Sequence, residues 1–282
     1  MRLDVVIPTI GRSHFLAALL ADLAVEAPEG TDILVVDQSA PAEAERVARM
    51  VGQYRAVRLE HRPPGLPAAR NHGIAATSGD VVLFLDDDVR LLPGCLSAHL
   101  AAYSDPRVGG VVGRIVERSV RPNARGTVNR IGRSGRVRTN LMGTAGCEIA
   151  TLKGANMSYR RLALQSAGLF DVNYEGTAFL EDADLSTRVR REGWSLRFEP
   201  DAEVVHLSAP SGGVRAGSLR ATERWRFENT GYFVRRHRGM LGMAPVVPTF
   251  AAIAARRALE WRQPEAVPEL MAALLRGWRR GA

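Results

Sequence analysis

The 282-residue chain is 46% apolar and 24% charged, the balance of a folded globular protein that can bury one large core, with or without an appendage. Its two cysteines, Cys95 and Cys147, exclude a disulfide framework and a zinc-type ligand spacing, and no fixed-period repeat is visible. The net charge of +8 does not describe a uniformly basic nucleic-acid binder: residues 1–210 are formally neutral, and thirteen Arg against five Glu beyond position 210 carry the whole excess.

In chain order, DVVIPTI predicts a strand and residues 15–25 a helix with apolar positions at helical spacing. Arg2 and Asp4 flank the start of this run without a long apolar stretch, so no signal peptide is expected. The cysteine usage makes a reducing cytoplasm the expected compartment. DILVVDQS predicts a second strand ending in Asp37, residues 42–54 a helix, and AVRLEHR a weaker third strand. After a Pro/Gly break, residues 66–76 read as a helix and DVVLFLDDD as the fourth strand. Strands separated by such helices imply a parallel sheet covered on its faces, with ligands at the carboxyl ends of the strands. Pro8, Thr9, Asp37 and the triplet Asp86-Asp87-Asp88 all fall at that edge. Three adjacent carboxylates are unfavourable unless a cation or hydrogen-bond donors offset them, and oxygen-rich clusters suit Mg²⁺ or Mn²⁺. A solvated acidic turn is the alternative.

Residues 109–116 predict a strand, followed by an Arg/Gly/Ser/Asn-rich segment to about position 146. Between Arg114 and Arg138 it holds eight Arg against Glu117, and a lid and a solvated loop are both open readings. Residues 152–159 lead to a helix near 160–167. A helix over 181–191 opens on Glu181, Asp182 and Asp184, acids that suit the positive end of its dipole. LRFEPDAEVVHL reads as one or two strands. Helices are expected at 219–236, 250–261 and 269–279. The apolar stretch 239–255 is broken by Pro245 and Pro248 and is too short to span a membrane. Trp261, Trp278 and their Arg neighbours leave two options, an interfacial membrane contact or helices packed back on the domain with Arg outward.

VVIPTIGR, VVDQSA, AARNHGIAATSGDVVLFLDDDV, LKGANMSYRR and FLEDADLSTRVRREGW, with Val204-Val205-His206 downstream, together resemble the family 2 glycosyltransferases of the nucleotide-sugar-dependent GT-A type. The resemblance covers most of residues 1–207 and is poor beyond 211. It implies an α/β, Rossmann-like, mostly parallel sheet flanked by helices, with a helical C-terminal extension. The GT-A domain would occupy 1–210, divided into a nucleotide-binding half (1–112) and an acceptor and catalytic half (113–210). The basic helical extension would be 211–282.

By the same resemblance, Asp37 would hydrogen-bond the nucleotide base, with Pro8 and Thr9 giving backbone contacts; capping of the next turn is the alternative for Asp37. Arg70 and Asn71 would order the nucleotide and diphosphate, although Arg70 could instead only support the Asp triplet. Asp86 would face the ribose, Asp88 would hold Mn²⁺ or Mg²⁺ with Asp86 and His206 as further ligands, and Asp87 would assist. Gly154 and Asn156 lie in a small-residue segment beside the donor sugar. Asp182 matches the catalytic base, with Glu181 and Asp184 as competitors; acids satisfying a helix N-terminus are the bland reading. The implied reaction is metal-assisted, inverting transfer of a sugar from a nucleotide-diphosphate-sugar to the hydroxyl of a carbohydrate, lipid-linked or small-molecule acceptor. Its setting would be cell-envelope polysaccharide, glycolipid or secondary-metabolite glycosylation. The alternatives are a retaining transferase of the same fold, a nucleotidyl- or phosphoryl-transfer enzyme, and a noncatalytic nucleotide-sugar-binding module. The phosphate loop GxxxxGK[ST] is absent. No nucleic-acid partner is expected, and the cytoplasmic placement includes a peripheral option at the inner membrane face through the basic C-terminal segment.

Overall fold

The structure, a computed structural model, describes residues 1–117, 126–209, 213 and 217–282. Part of the Arg-rich segment read as a lid or loop (118–125) and most of the start of the extension lie outside the described residues. Among those described, nine strands form one sheet in the order β3-β2-β1-β4-β10-β6-β11-β5, with β9 paired to β11. β1 (Leu3–Thr9), β2 (Ile33–Asp37), β3 (Val57–His61) and β4 (Val81–Leu85) pair parallel with one another. β1, β2 and β4 are buried along their whole length, as expected of strands covered on both faces. α1 (Ser13–Glu26) packs Leu16, Leu19, Leu20 and Leu23 inward, the i, i+3, i+4, i+7 stripe of an amphipathic helix. α2 (Pro41–Val51) and α3 (Leu66–Ala76) complete this half. A Cβ on Gly73 would lie 2.3 Å from a methyl of Val6, so the glycine sets how closely α3 approaches β1.

The second half departs from a parallel pattern. β10 (Asn156–Arg160) runs antiparallel between β4 and β6 (Val108–Glu117). The long β11 (Ser195–His206) is parallel to β6 and antiparallel to β5 (Val89–Leu91) and β9 (Cys147–Glu148). Four features are absent from the sequence reading: β5, β9, the helix α4 (Cys95–Ala102), and a two-stranded hairpin of β7 (Val128–Ile131) and β8 (Val137–Asn140). The hairpin lies within the segment read as a lid or loop. α5 (Arg161–Ala167) and α6 (Glu181–Arg191) follow the predicted helices.

The expected helical extension is present as α7 (Leu219–Arg238), α8 (Val246–Trp261) and α9 (Ala266–Arg280). It packs onto the sheet domain: a second apolar cluster joins Tyr174, Leu180 and Ala183 to Phe227, Phe250, Leu270 and Leu274. α7 and α9 meet through glycines, since a Cβ on Gly277 would lie 1.8 Å from the Glu228 carbonyl oxygen and one on Gly231 2.0 Å from that of Leu274. Among the described residues no helix is long and apolar enough to cross a membrane.

Candidate active site

The carboxyl edge of the sheet gathers the acids that the sequence singles out. β4 ends at Leu85, and the chain turns through Asp86, Asp87 and Asp88 into β5. Because β5 pairs antiparallel with β11, His206 sits opposite Val89 and beside the triplet. One ligand atom each from Asp86, Asp88 and His206 lies within 4.8 Å of the others. His206 Nε2 is 3.3 Å from Asp88 Oδ1, and that oxygen is buried without a hydrogen bond. Two carboxylates and an imidazole around a buried oxygen lacking a donor form a set that fits a divalent cation such as Mn²⁺.

Asp87 turns the other way, back onto β1. Its Oδ2 accepts from the Thr9 hydroxyl at 2.7 Å and its Oδ1 from Arg12 Nη1 at 3.1 Å. Burial drives the Asp87 carboxyl up to about 6, with Thr9 and Arg12 pulling against it. Asp88 stays acidic, at about 2, because the neighbouring His206, the hydrogen bond from the Ala209 N–H and the charge of Arg12 outweigh its burial. Burial lowers His206, but Asp88, Asp86 and Glu117 raise it further, for a net upward shift.

A cleft of about 700 Å³ opens beside this cluster. Of the expected site residues, Arg70, Asp86, Gly154, Glu181, Asp182 and His206 line it. Arg70, 1% exposed, is the hub. Its guanidinium donates to Glu181 Oε1, to Asp86 Oδ1 at 3.4 Å and to the Gly154 carbonyl at 3.4 Å. Although burial opposes its charge, Glu181, Asp86 and Asp182 hold Arg70 firmly protonated. A Cβ on Gly154 would lie 2.6 Å from Arg70 Nη2, so the small residue makes room for the guanidinium. Burial pushes the Glu181 carboxyl up to about 8 against the pull of Arg70.

Asp182 stands on the first turn of α6, partly exposed to the cleft. Its Oδ2 accepts from the Gly154 N–H at 3.1 Å and its Oδ1 from the Ala183 N–H at 2.8 Å. The turn that presents it is strained: Ala178 and Leu180 have φ of 51° and 75°, left-handed values that non-glycine residues adopt at a cost of order 1 kcal/mol or more. Asp184 points away. It meets Arg188 (2.6 Å), His237 (2.7 Å) and Arg236 (3.4 Å), tying α6 to α7 rather than facing the cleft.

Other expected residues are engaged elsewhere. Both ends of the Asn71 amide bond Phe170, donating to its carbonyl at 2.8 Å and accepting from its N–H at 2.9 Å, which fixes the loop before α6. Asn156 is fully buried between His99 (2.8 Å) and the Ala202 carbonyl (2.8 Å), so its side chain braces β10 and does not reach the donor-sugar side. Pro8 and Thr9 are buried in β1; the Thr9 carbonyl accepts from Gln38 N. Asp37, 1% exposed, accepts from the Ser39 N–H at 3.0 Å, the turn-capping role that the sequence left open. The opposite wall of the cleft is formed by residues that sequence reasoning missed: Asn129, Ile131 and Thr139 of the hairpin, and Thr222, Glu223 and Arg226 of α7. This mixture of apolar, polar and charged side chains carries no chemical signature without the packing that brings it here.

A mixed α/β sheet with acids at the carboxyl end of its fourth strand, and a second acidic turn across a shared cleft, defines a GT-A-type nucleotide-sugar fold. The description "Glycosyl transferase family 2" matches residues 4–168, and the chain belongs to that family of glycosyltransferases. It is 32% identical over 215 residues to the pre-mycofactocin glycosyltransferase of Mycobacterium tuberculosis, covering 72% of this chain and 42% of that protein. This chain therefore spans less than half of that relative. An N-acetylglucosaminyl-diphospho-decaprenol L-rhamnosyltransferase of the same organism is 28% identical over 249 residues, covering 75% of this chain and 78% of the relative. Among solved structures, Staphylococcus aureus TarS (residues 1–349) with UDP-GlcNAc superposes with a TM-score of 0.68 at 14% identity, covering 97% of this chain and 80% of that one. GalNAc-T7 with UDP, GalNAc and Mn²⁺ gives 0.69 at 17% identity, covering 91% and 50%. These two share the fold.

Proposed function

We propose that this glycosyltransferase moves a sugar from a nucleotide-diphosphate-sugar to an acceptor hydroxyl with inversion, and that Asp182 is the base. The observation that carries the reading is the division of one cleft between two acidic sites. Asp86, Asp88 and His206 stand at one side; Asp182, held by two backbone N–H groups, stands at the other. In the proposed reaction the acceptor oxygen attacks the anomeric carbon and the bond to the diphosphate breaks, its electron pair leaving on the diphosphate. The acceptor proton passes to Asp182. The backbone N–H bonds hold the Asp182 carboxylate in one orientation, which is what in-line attack requires. Asp86, Asp88 and His206 would hold a divalent cation, which when bound supplies Lewis-acid stabilisation of the departing diphosphate. Arg70, protonated and 3.4 Å from Asp86, adds fixed positive charge at the same end. The UDP-containing structures of the two fold neighbours support the donor class.

Glu181 is the weaker candidate for the base, because it is buried and bonded to Arg70. The test is metal-dependent release of nucleotide from a panel of UDP- and GDP-sugars, with water as the acceptor. Asp182→Asn is expected to bind donor as the wild type does while releasing nucleotide on the order of 10²-fold more slowly or worse. Wild-type rates in Asp182→Asn, or no release from any donor by the wild type, would contradict the proposal.

A further inference from the structure

Trp261 and Trp278, the residues that suggested an interfacial contact, both pack against the second apolar cluster, and Arg235 lies over the Trp278 ring at 5.2 Å. They are packing residues. A cluster of exposed apolar residues lies instead at the turn between α7 and α8, where Met240 is 67%, Leu241 87% and Val247 39% exposed. Ala244, Pro245 and Pro248 are exposed in the same stretch. The β7–β8 turn is bound to this one. The Arg238 guanidinium donates to the carbonyls of Ile131, Gly132 and Arg133 at 3.0–3.1 Å. Gly135 sits against Thr230, Val246 and Phe250, closely enough that a Cβ would lie 3.1–3.4 Å from their side chains. The two turns thus form one face that adds exposed Arg133 and Arg136 to the apolar residues. Among the described residues neither Arg has an acidic partner, unlike Arg220, Arg257 and Arg280 of the extension, which pair with Glu269, Glu223 and Glu175.

We infer that this two-turn face docks the protein onto an anionic bilayer surface. Large exposed apolar side chains in a short tip, beside two arginines that have no acidic partner among the described residues, suit the headgroup boundary: the apolar tip enters and the guanidiniums meet lipid phosphates. Charge selects the occupant, since an apolar protein groove would leave Arg133 and Arg136 facing no anion. The hairpin also walls the cleft through Ile131 and Thr139, so docking would set one side of the cleft at the membrane. The inference rests on surface chemistry and is independent of the sugar-transfer proposal.

The experiment is co-sedimentation of the full chain with vesicles of phosphatidylcholine alone or with about a third phosphatidylglycerol. The variants are Met240→Ser/Leu241→Ser and Arg133→Glu/Arg136→Glu, with melting temperature as the folding control. The wild type is expected to bind the anionic vesicles at least about fivefold more tightly than neutral ones, the effect of about one phosphate-facing arginine. Salt should weaken that binding, and each double variant should lose it while melting as the wild type does. Wild-type protein that ignores anionic vesicles, variants that bind undiminished, or a face that only self-associates on gel filtration would each overturn it.

Discussion

Arg70 binds the two halves of the cleft together at the level of single side chains. It is buried and bonded to Glu181 across the sheet edge, with Asp86 3.4 Å away. Removing it strands the buried Glu181 carboxyl, so Arg70→Ala is expected to cost about 3–5 kcal/mol in urea unfolding. Glu181→Gln keeps an acceptor for the guanidinium and should cost less than about 2 kcal/mol. Asp184 carries a pH prediction. It is faced by Arg188 on its own helix, by Arg236 and His237 of α7 and by the Tyr174 hydroxyl. Burial raises its pKa, but His237 and Arg188 lower it further, giving a net depression below the ordinary value of 3.8. A depressed carboxylate contributes stability that is present above its unfolded pKa and lost as pH falls through its folded one. Unfolding free energy measured from pH 6 to pH 2 should therefore fall more steeply below about pH 4 in the wild type than in Asp184→Asn. At this scale the acids at 86, 88 and 182 were legible because their type and spacing carry chemistry. Asn71, Asn156 and Thr9 were not, because an amide or hydroxyl looks the same whether it faces a ligand or, as here, Phe170, His99 or Asp87.

Among the elements, close contacts through glycine decide how the extension docks. α7 and α9 approach until the Gly277 Cα faces the Glu228 carbonyl, a separation that no side chain tolerates. Gly277→Val should destabilise the protein by about 2–4 kcal/mol in thermal or urea unfolding, through forced separation of the helices. The first four strands and their helices were readable because interior parallel strands are continuous apolar runs and the helices between them keep their period. α4 escaped because CLSAHLAA is short and apolar on most sides, with no polar face to reveal a period. The strands VNRI and VRTN are too short and too polar to signal a hairpin. Their position comes from Gly135 against α7 and α8 and from Arg238 holding the turn, contacts more than ninety residues away in sequence.

Across the whole molecule, two apolar clusters flank one cleft. The larger fills both faces of the sheet and carries Asp86, Asp88 and His206 on its edge; the smaller joins the α6 region to the extension. The basic tail that composition isolated is thus part of the cleft, since Thr222, Glu223 and Arg226 line it. Glu223 is 4% exposed, with Oε1 2.9 Å from Arg257 and Oε2 without a hydrogen bond. In the proposed reaction, the edge formed by Asp86, Asp88 and His206 binds nucleotide through a divalent cation. Calorimetric titration of UDP and GDP, with Mn²⁺ or with chelator, tests it most directly. At least one nucleotide is predicted to bind the wild type about tenfold or more tighter with Mn²⁺ than with chelator, and Asp88→Ala to lose that difference while remaining folded. An unchanged Mn²⁺ dependence in Asp88→Ala, or none in the wild type, would contradict it.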